Sequence, residues 1–181
     1  MRVAVVQPVF VSGGGTEAVT AWTIEALKND HQMSLISFTS VDAGTLNRFY
    51  GTNLDEEEVT MIQPSLPPFL KRTNRFILLK DHLMMRYCKS RRADFDLFIS
   101  IGGGMDFGHP AVQYFAFAPA STLVKVLSRD PGVSIWYNIL KRGIMSLSQR
   151  ISGFSQDSMN RNISLATSAW TGKIIEDIYG I

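Results

Sequence analysis

What this chain lacks narrows its identity first. It carries one cysteine, Cys88, so no internal disulfide can staple it; a reducing, cytoplasmic setting is the expectation. No apolar run approaches the roughly 18 residues that a membrane-spanning helix needs. The VAVV run after Met1 and Arg2 is too short for the core of a signal peptide. A net charge of +2 is too weak a field to argue for a nucleic-acid partner. Neither metal-ligand spacing nor a G-x-S-x-G nucleophile elbow occurs, so metal-assisted hydrolysis and triad chemistry have no foothold.

What is present is apolar and aromatic enough to fold. The 181 residues are 45% hydrophobic, with eleven Phe, which fits one globular domain over 1–181 rather than a disordered chain. Short apolar runs alternate with longer segments of helical period. RVAVVQ (2–7), MSLISFT (33–39), EVTMIQ (58–63), DLFISI (96–101), AVQYFAF (111–117) and ISLAT (163–167) read as buried strands. Helices are expected over 16–29, 42–50, 69–90, 120–129 and 134–152. A last helix follows Ser168, a natural cap, and stops at Gly180. Strands separated by helices in this repeated order imply a doubly wound, Rossmann-like parallel sheet covered on both faces.

In such a sheet ligands bind beyond the carboxyl ends of the strands, so the loops there carry the weight. Two of them are glycine triplets. Gly13, Gly14 and Gly15, followed by Thr16, join the first strand to the first helix, where backbone amides and a helix N-terminus can approach a phosphate. A tight turn without a ligand explains the same residues. A dinucleotide fingerprint would need an acidic residue ending the second strand, which instead ends Phe38-Thr39-Ser40; a P-loop would need Lys-Ser/Thr after the glycines. The second triplet, Gly102 to Gly104, opens a loop whose ionisable side chains are Asp106 and His109, the two candidates for a base. Basic residues gather at Lys71, Arg72, Arg75, Lys80, Arg86, Lys89, Arg91 and Arg92. They read either as a surface for anionic lipid headgroups or as a solvated helix face.

GGGTEAVTAWTIEAL (13–27) resembles the opening of family 4 glycosyltransferases of the GT-B fold. ISLATSAWTGKIIEDIYG (163–180) resembles the segment before their interdomain linker, through Thr167, Ser168, Trp170, Thr171, Tyr179 and Gly180. PAVQYFAFAP (110–119) loosely resembles a strand of the mannosyltransferases of lipid-linked oligosaccharide assembly, with Ala116 where that family has histidine. The resemblance implies the N-terminal, acceptor-side half of a GT-B enzyme, with a C-terminal donor-binding domain not found in this chain. It implies retaining transfer of a hexose, such as mannose, from a nucleoside-diphosphate sugar to a glycan or lipid-linked acceptor, without metal or resident cofactor. Gly13, Gly14, Gly15 and Thr16 would then face the donor diphosphate, and Gly102, Gly103, Gly104, Phe117 and Ser121 the acceptor. The alternative is a non-catalytic module of the same fold that binds a sugar or phosphate.

Overall fold

The computed structural model describes residues 1–11, 13–71, 76–116 and 135–181, with the backbone alone for 135–142. Among these residues six strands form one all-parallel sheet: β1 (Arg2–Val6), β2 (Gln32–Ile36), β3 (Val59–Ile62), β4 (Leu97–Ile101), β5 (Val112–Phe115) and β6 (Ile163–Ala166). Their order across the sheet is β3-β2-β1-β4-β5-β6. The Rossmann-like α/β architecture expected from the alternating pattern is therefore present, in the doubly wound order that reverses direction between β1 and β4.

The sheet separates two cores because successive side chains of a strand point to opposite faces. Val3 and Val5 of β1 lie on one face with Leu35 and Ile99. That side is covered by α1 (Gly15–Leu27), through Ala21 and Ile24, and by α2 (Ala43–Tyr50), through Ala43 and Leu46. Ala4 and Val6 lie on the other face with Ile36 and Phe98. There α4 (Ile77–Ser90) covers them with Met84, Met85 and Cys88, and Phe107 stacks on Phe98 at 4.8 Å between ring centroids. All four apolar residues of β1 are 0% exposed, so their whole side-chain area contributes transfer energy.

Between β3 and α4 lies the short α3 (Pro68–Lys71), and a 3-10 turn (Arg92–Asp94) leads into β4. The helices α5 (Ile135–Ser152), α6 (Gln156–Asn160) and α7 (Ala169–Tyr179) follow β5 and flank β6. Ser155 caps α6 through Ser158 N, and Ser168 caps α7 through Thr171 N at 3.1 Å. Gly180 ends α7 at φ 70°, a left-handed conformation that costs glycine least. The edge strand β6 leaves Ile163 and Leu165 exposed, and Trp170 of α7 is exposed as well. No described helix is long and apolar enough to cross a membrane.

Two readings of the helices change. The expected apolar stripe of α4, Phe76, Leu79, Leu83 and Tyr87, is only half-buried or exposed. The fully buried positions are Met84, Met85 and Cys88 with Lys80 and His82, because α4 packs against both the sheet and α5 and so needs two contact faces. The single helix expected over 69–90 begins as α3 and resumes at Ile77, with residues 72–75 outside the description. The helix expected over 120–129 also lies outside the described residues.

Candidate functional site

Because the sheet reverses between β1 and β4, the chain diverges there and a crevice opens beyond the strand ends. A cleft of about 770 Å³ occupies that place, within the usual range for small-molecule sites. Its floor is Gln7 and Pro8 after β1 and Gly102, Gly103 and Gly104 after β4; Thr16 and Glu17 enter from the start of α1. One wall is a stripe of α4: Ile77, Leu78, Asp81, His82 and Met85. These positions recur at helical spacing and therefore share one face. The opposite end is closed by Met145 and Gln149 of α5, Phe154, Met159 and the end of α7.

The floor is held by a polar network. Gln7 is buried between Thr20, whose hydroxyl donates to its side-chain oxygen, and Glu17, to which its own amide donates at 2.9 Å. Glu17 also accepts from the Val11 amide at 3.2 Å and from the Thr16 hydroxyl at 2.8 Å. This carboxylate lies back over Gly14, the position before α1, so closely that a Cβ at Gly14 would collide with it. The helix therefore starts without a side-chain cap at its first position, and Glu17 in the first turn supplies the negative charge that the helix N-terminus favours.

This changes what the first glycine loop offers. The Gly13 amide donates to the Tyr50 hydroxyl at 2.8 Å, and a protein carboxylate already sits beside the helix N-terminus. Of Gly13, Gly14, Gly15 and Thr16, Thr16 alone lines the cleft. The second triplet lies in it throughout: Gly102 takes φ 108°, a backbone conformation that other residues rarely adopt. Gly104 passes close to Met159 and Phe115, where a Cβ would stand 2.6 Å from the methionine sulfur.

Asp106 and His109 do not line the cleft. Asp106 is 1% exposed and its carboxylate is fully engaged: Lys89 Nζ lies at 2.6 Å, the Ser155 amide at 2.8 Å and the Gly108 amide at 2.9 Å. Burial would raise its pKa, but the hydrogen bonds from Lys89, Ser155, Ser158 and Gly108 outweigh that and hold it below the ordinary carboxylate value. Lys89 also donates to the carbonyls of Ser152 and Gly153, so this ion pair pins the end of α5 to α4 and to the loop after β4. His109 donates from Nδ1 to its neighbour's carbonyl on Pro110 at 2.8 Å and packs its ring on Phe98, 5.3 Å away. Phe117 and Ser121 lie outside the described residues.

The cleft holds two ionisable side chains of α4 that sequence reading passed over. His82 is buried, its Nδ1 2.8 Å from the Ser152 hydroxyl and its ring edge-on to Phe154. Burial, helped by the Lys89 charge, lowers its pKa, so it is neutral at pH 7. Asp81 is half-buried, and burial pushes its carboxyl up to about 7 against the pull of Lys80. The signal for both was the stripe 77, 78, 81, 82 and 85, which sets an Asp-His pair among apolar residues at helical spacing.

The basic residues of this region do not form one solvent face. Lys80 is buried, Lys89 is paired with Asp106, and Arg91 is paired with Asp94. Searches against protein-family models and against curated proteins found no match to the chain.

Proposed function

We propose that the chain is the acceptor-side, Rossmann-like domain of a GT-B glycosyltransferase, in which a hexosyl group passes from a nucleoside-diphosphate sugar to an acceptor hydroxyl lying in the cleft between β1 and β4. The observation that carries this reading is the composition of the cleft. Its described wall contains Glu17, Asp81 and His82 but no Lys or Arg, so a donor diphosphate would meet carboxylates rather than cations. A diphosphate is ordinarily held by cationic groups and free helix-terminal amides. The reading therefore assigns the donor to a second domain and the acceptor to this one. The polar floor and the apolar side chains of Ile77, Leu78, Met85 and Met145 suit a ligand with hydroxyls at one end and an apolar body at the other.

Within the two-domain enzyme, the Thr16 end of the cleft would face the donor domain, which would hold the departing diphosphate, because Glu17 already occupies the start of α1. Gly102 to Gly104 would let the acceptor approach the backbone without steric hindrance. Binding and orientation of the acceptor, and exclusion of water from it, are the tasks this half can perform. The anomeric configuration is retained, as in the family that the terminal segments resemble.

The test is sugar transfer from a panel of UDP- and GDP-sugars to soluble and lipid-linked acceptors, run with this chain alone and with it joined to a donor-binding domain. Transfer by the joined protein only is the expected result. Tight binding of a nucleotide sugar or of NAD by this chain alone would rule the reading out. Sugar binding without transfer in either form would replace it with a non-catalytic binding module.

A further inference from the structure

The cleft contains two carboxylates, and their surroundings differ. Glu17 is saturated by three donors, from Gln7, Val11 and Thr16. Asp81 faces the same space from α4, and no described group donates a hydrogen bond to it. A half-buried carboxyl without a donor is unfavourable in the free protein, and the free energy is recovered when a ligand brings the missing donors.

The groups around Asp81 restrict what that ligand can be. On its own helix, Lys80 is the charge that acts on it, and His82 is turned to Ser152. From α1 the facing ionisable group is Glu17; from the loop after β4 there are only glycine backbone and Met105; from α5 the described groups are Met145 and the neutral Gln149. Among the described residues no cation lines the cleft, so a phosphate or carboxylate would meet only carboxylates and neutral groups there. The Gly102 N–H is already given to the Tyr114 carbonyl at 3.0 Å and the Gly103 carbonyl accepts from the Ser100 hydroxyl at 2.8 Å; the Gly103 N–H and the Gly102 C=O are left to a ligand that both donates and accepts, which hydroxyls do and an ammonium does not. Ile77, Leu78, Met85 and Phe154 form an apolar wall, and Gln156 with Tyr179 of α7 lines the far end.

We infer that Asp81 is the hydroxyl-binding residue of this cleft, and that the cleft takes a neutral, hydroxylated ligand with an apolar body rather than a phosphorylated one. This rests on the reading of the cleft as the acceptor site and specifies that acceptor's chemistry. Hydroxyl donors stabilise the ionised carboxylate, so binding draws a proton off Asp81 and strengthens as pH rises through neutrality. Burial, helped by the Lys89 charge, moves His82 to the acid side of its ordinary value, away from the neutral and alkaline end of that range.

The experiment is calorimetric titration of the intact chain with n-octyl β-D-glucopyranoside below its micelle concentration, with n-octyl phosphate and n-octylamine as comparators. It is run one unit below and one unit above neutral pH, in buffers of different ionisation enthalpy. The expected result is binding of the glucoside alone, tighter by about tenfold at the higher pH, with fractional proton release near neutrality. In Asp81→Asn both the pH dependence and the proton release disappear, while circular dichroism shows an unchanged fold. Failure of the wild-type chain to bind the glucoside, preference for the phosphate or the amine, or binding without proton release would each overturn the inference. The wild-type proton count decides the matter even where the variant folds poorly. Sugar transfer is read separately, so loss of the transferase reading and loss of the Asp81 assignment give different patterns.

Discussion

At the residue scale, Asp106 and Asp81 show how little a residue's type says about its task. One lies in the loop after β4 and the other on α4, yet the first is closed in by Lys89 and three further donors while the second faces a cavity. Removing Asp106 strands a partly buried lysine and leaves the Ser155 and Gly108 amides without their acceptor. Asp106→Ala should therefore destabilise the fold by about 3–5 kcal/mol, visible as a lower denaturant midpoint at unchanged slope. A midpoint within experimental error of the wild type would show that the pair holds nothing together. The two first-loop glycines give a second contrast. Gly14→Ala pushes a methyl into the pinned Glu17 carboxylate and should cost roughly 1–3 kcal/mol, whereas a Cβ on Gly15 meets nothing within 4 Å. Gly15→Ala should be neutral or slightly stabilising, since it lies inside α1. Thermal melts of the two variants side by side test this, and equal losses would refute the role given to Glu17.

At the element scale, the strands were legible because a buried parallel strand leaves a short β-branched run bounded by turn residues. Five of the six sheet strands fall within a residue or two of the runs that mark them, β2 ends at Ile36, three residues before its run does, and Ser168 and Gly180 bound α7 as the capping pattern implies. Ser168→Ala should cost about 1 kcal/mol through loss of the hydrogen bond from Thr171 N; retention of full stability would mean that water caps the helix as well. The faces of α4 were not legible, because the helix packs against the sheet and α5 at once. Its buried set mixes Met84 and Cys88 with Lys80 and His82, so no single apolar stripe marks it. The candidate site was half legible for the same reason. Glycines announce a place where the backbone must be bare, which located Gly102 to Gly104. Asp81 shares an apolar stripe with His82 at helical spacing, but the stripe alone does not say that it faces a crevice rather than a core.

At the scale of the whole molecule, stability as a function of pH sums opposing groups. The folded-state pKa of Asp106 is depressed, so its contribution is complete above the ordinary carboxylate value and is lost as pH falls toward the folded one. His82 is also depressed; its contribution is present above its ordinary value of 6.5 and is lost as pH drops through the range beneath it. Asp81 runs the other way. Its folded value of about 7 lies above the unfolded one of 3.8, so stability declines as pH rises between them. Asp81→Asn should thus match the wild type near pH 4 and exceed it by about 1–3 kcal/mol near pH 8. Chemical denaturation across that range checks the sign, and a variant that is weaker at alkaline pH would contradict it.

The placement of β1 also governs how the chain can fold. Its partner β4 is anchored to it by the ion pair of Arg2 with Asp96, 94 residues away in sequence, while β2 arrives after a single helix. At synthesis rates of about 5–20 residues per second, that interval lasts roughly 5–20 s. During it the least exposed strand of the finished sheet has one edge paired and the other open, its apolar side chains uncovered on the face that α4 will later close. The central position that makes β1 so well buried in the native state also makes it the segment most in need of shielding on the ribosome.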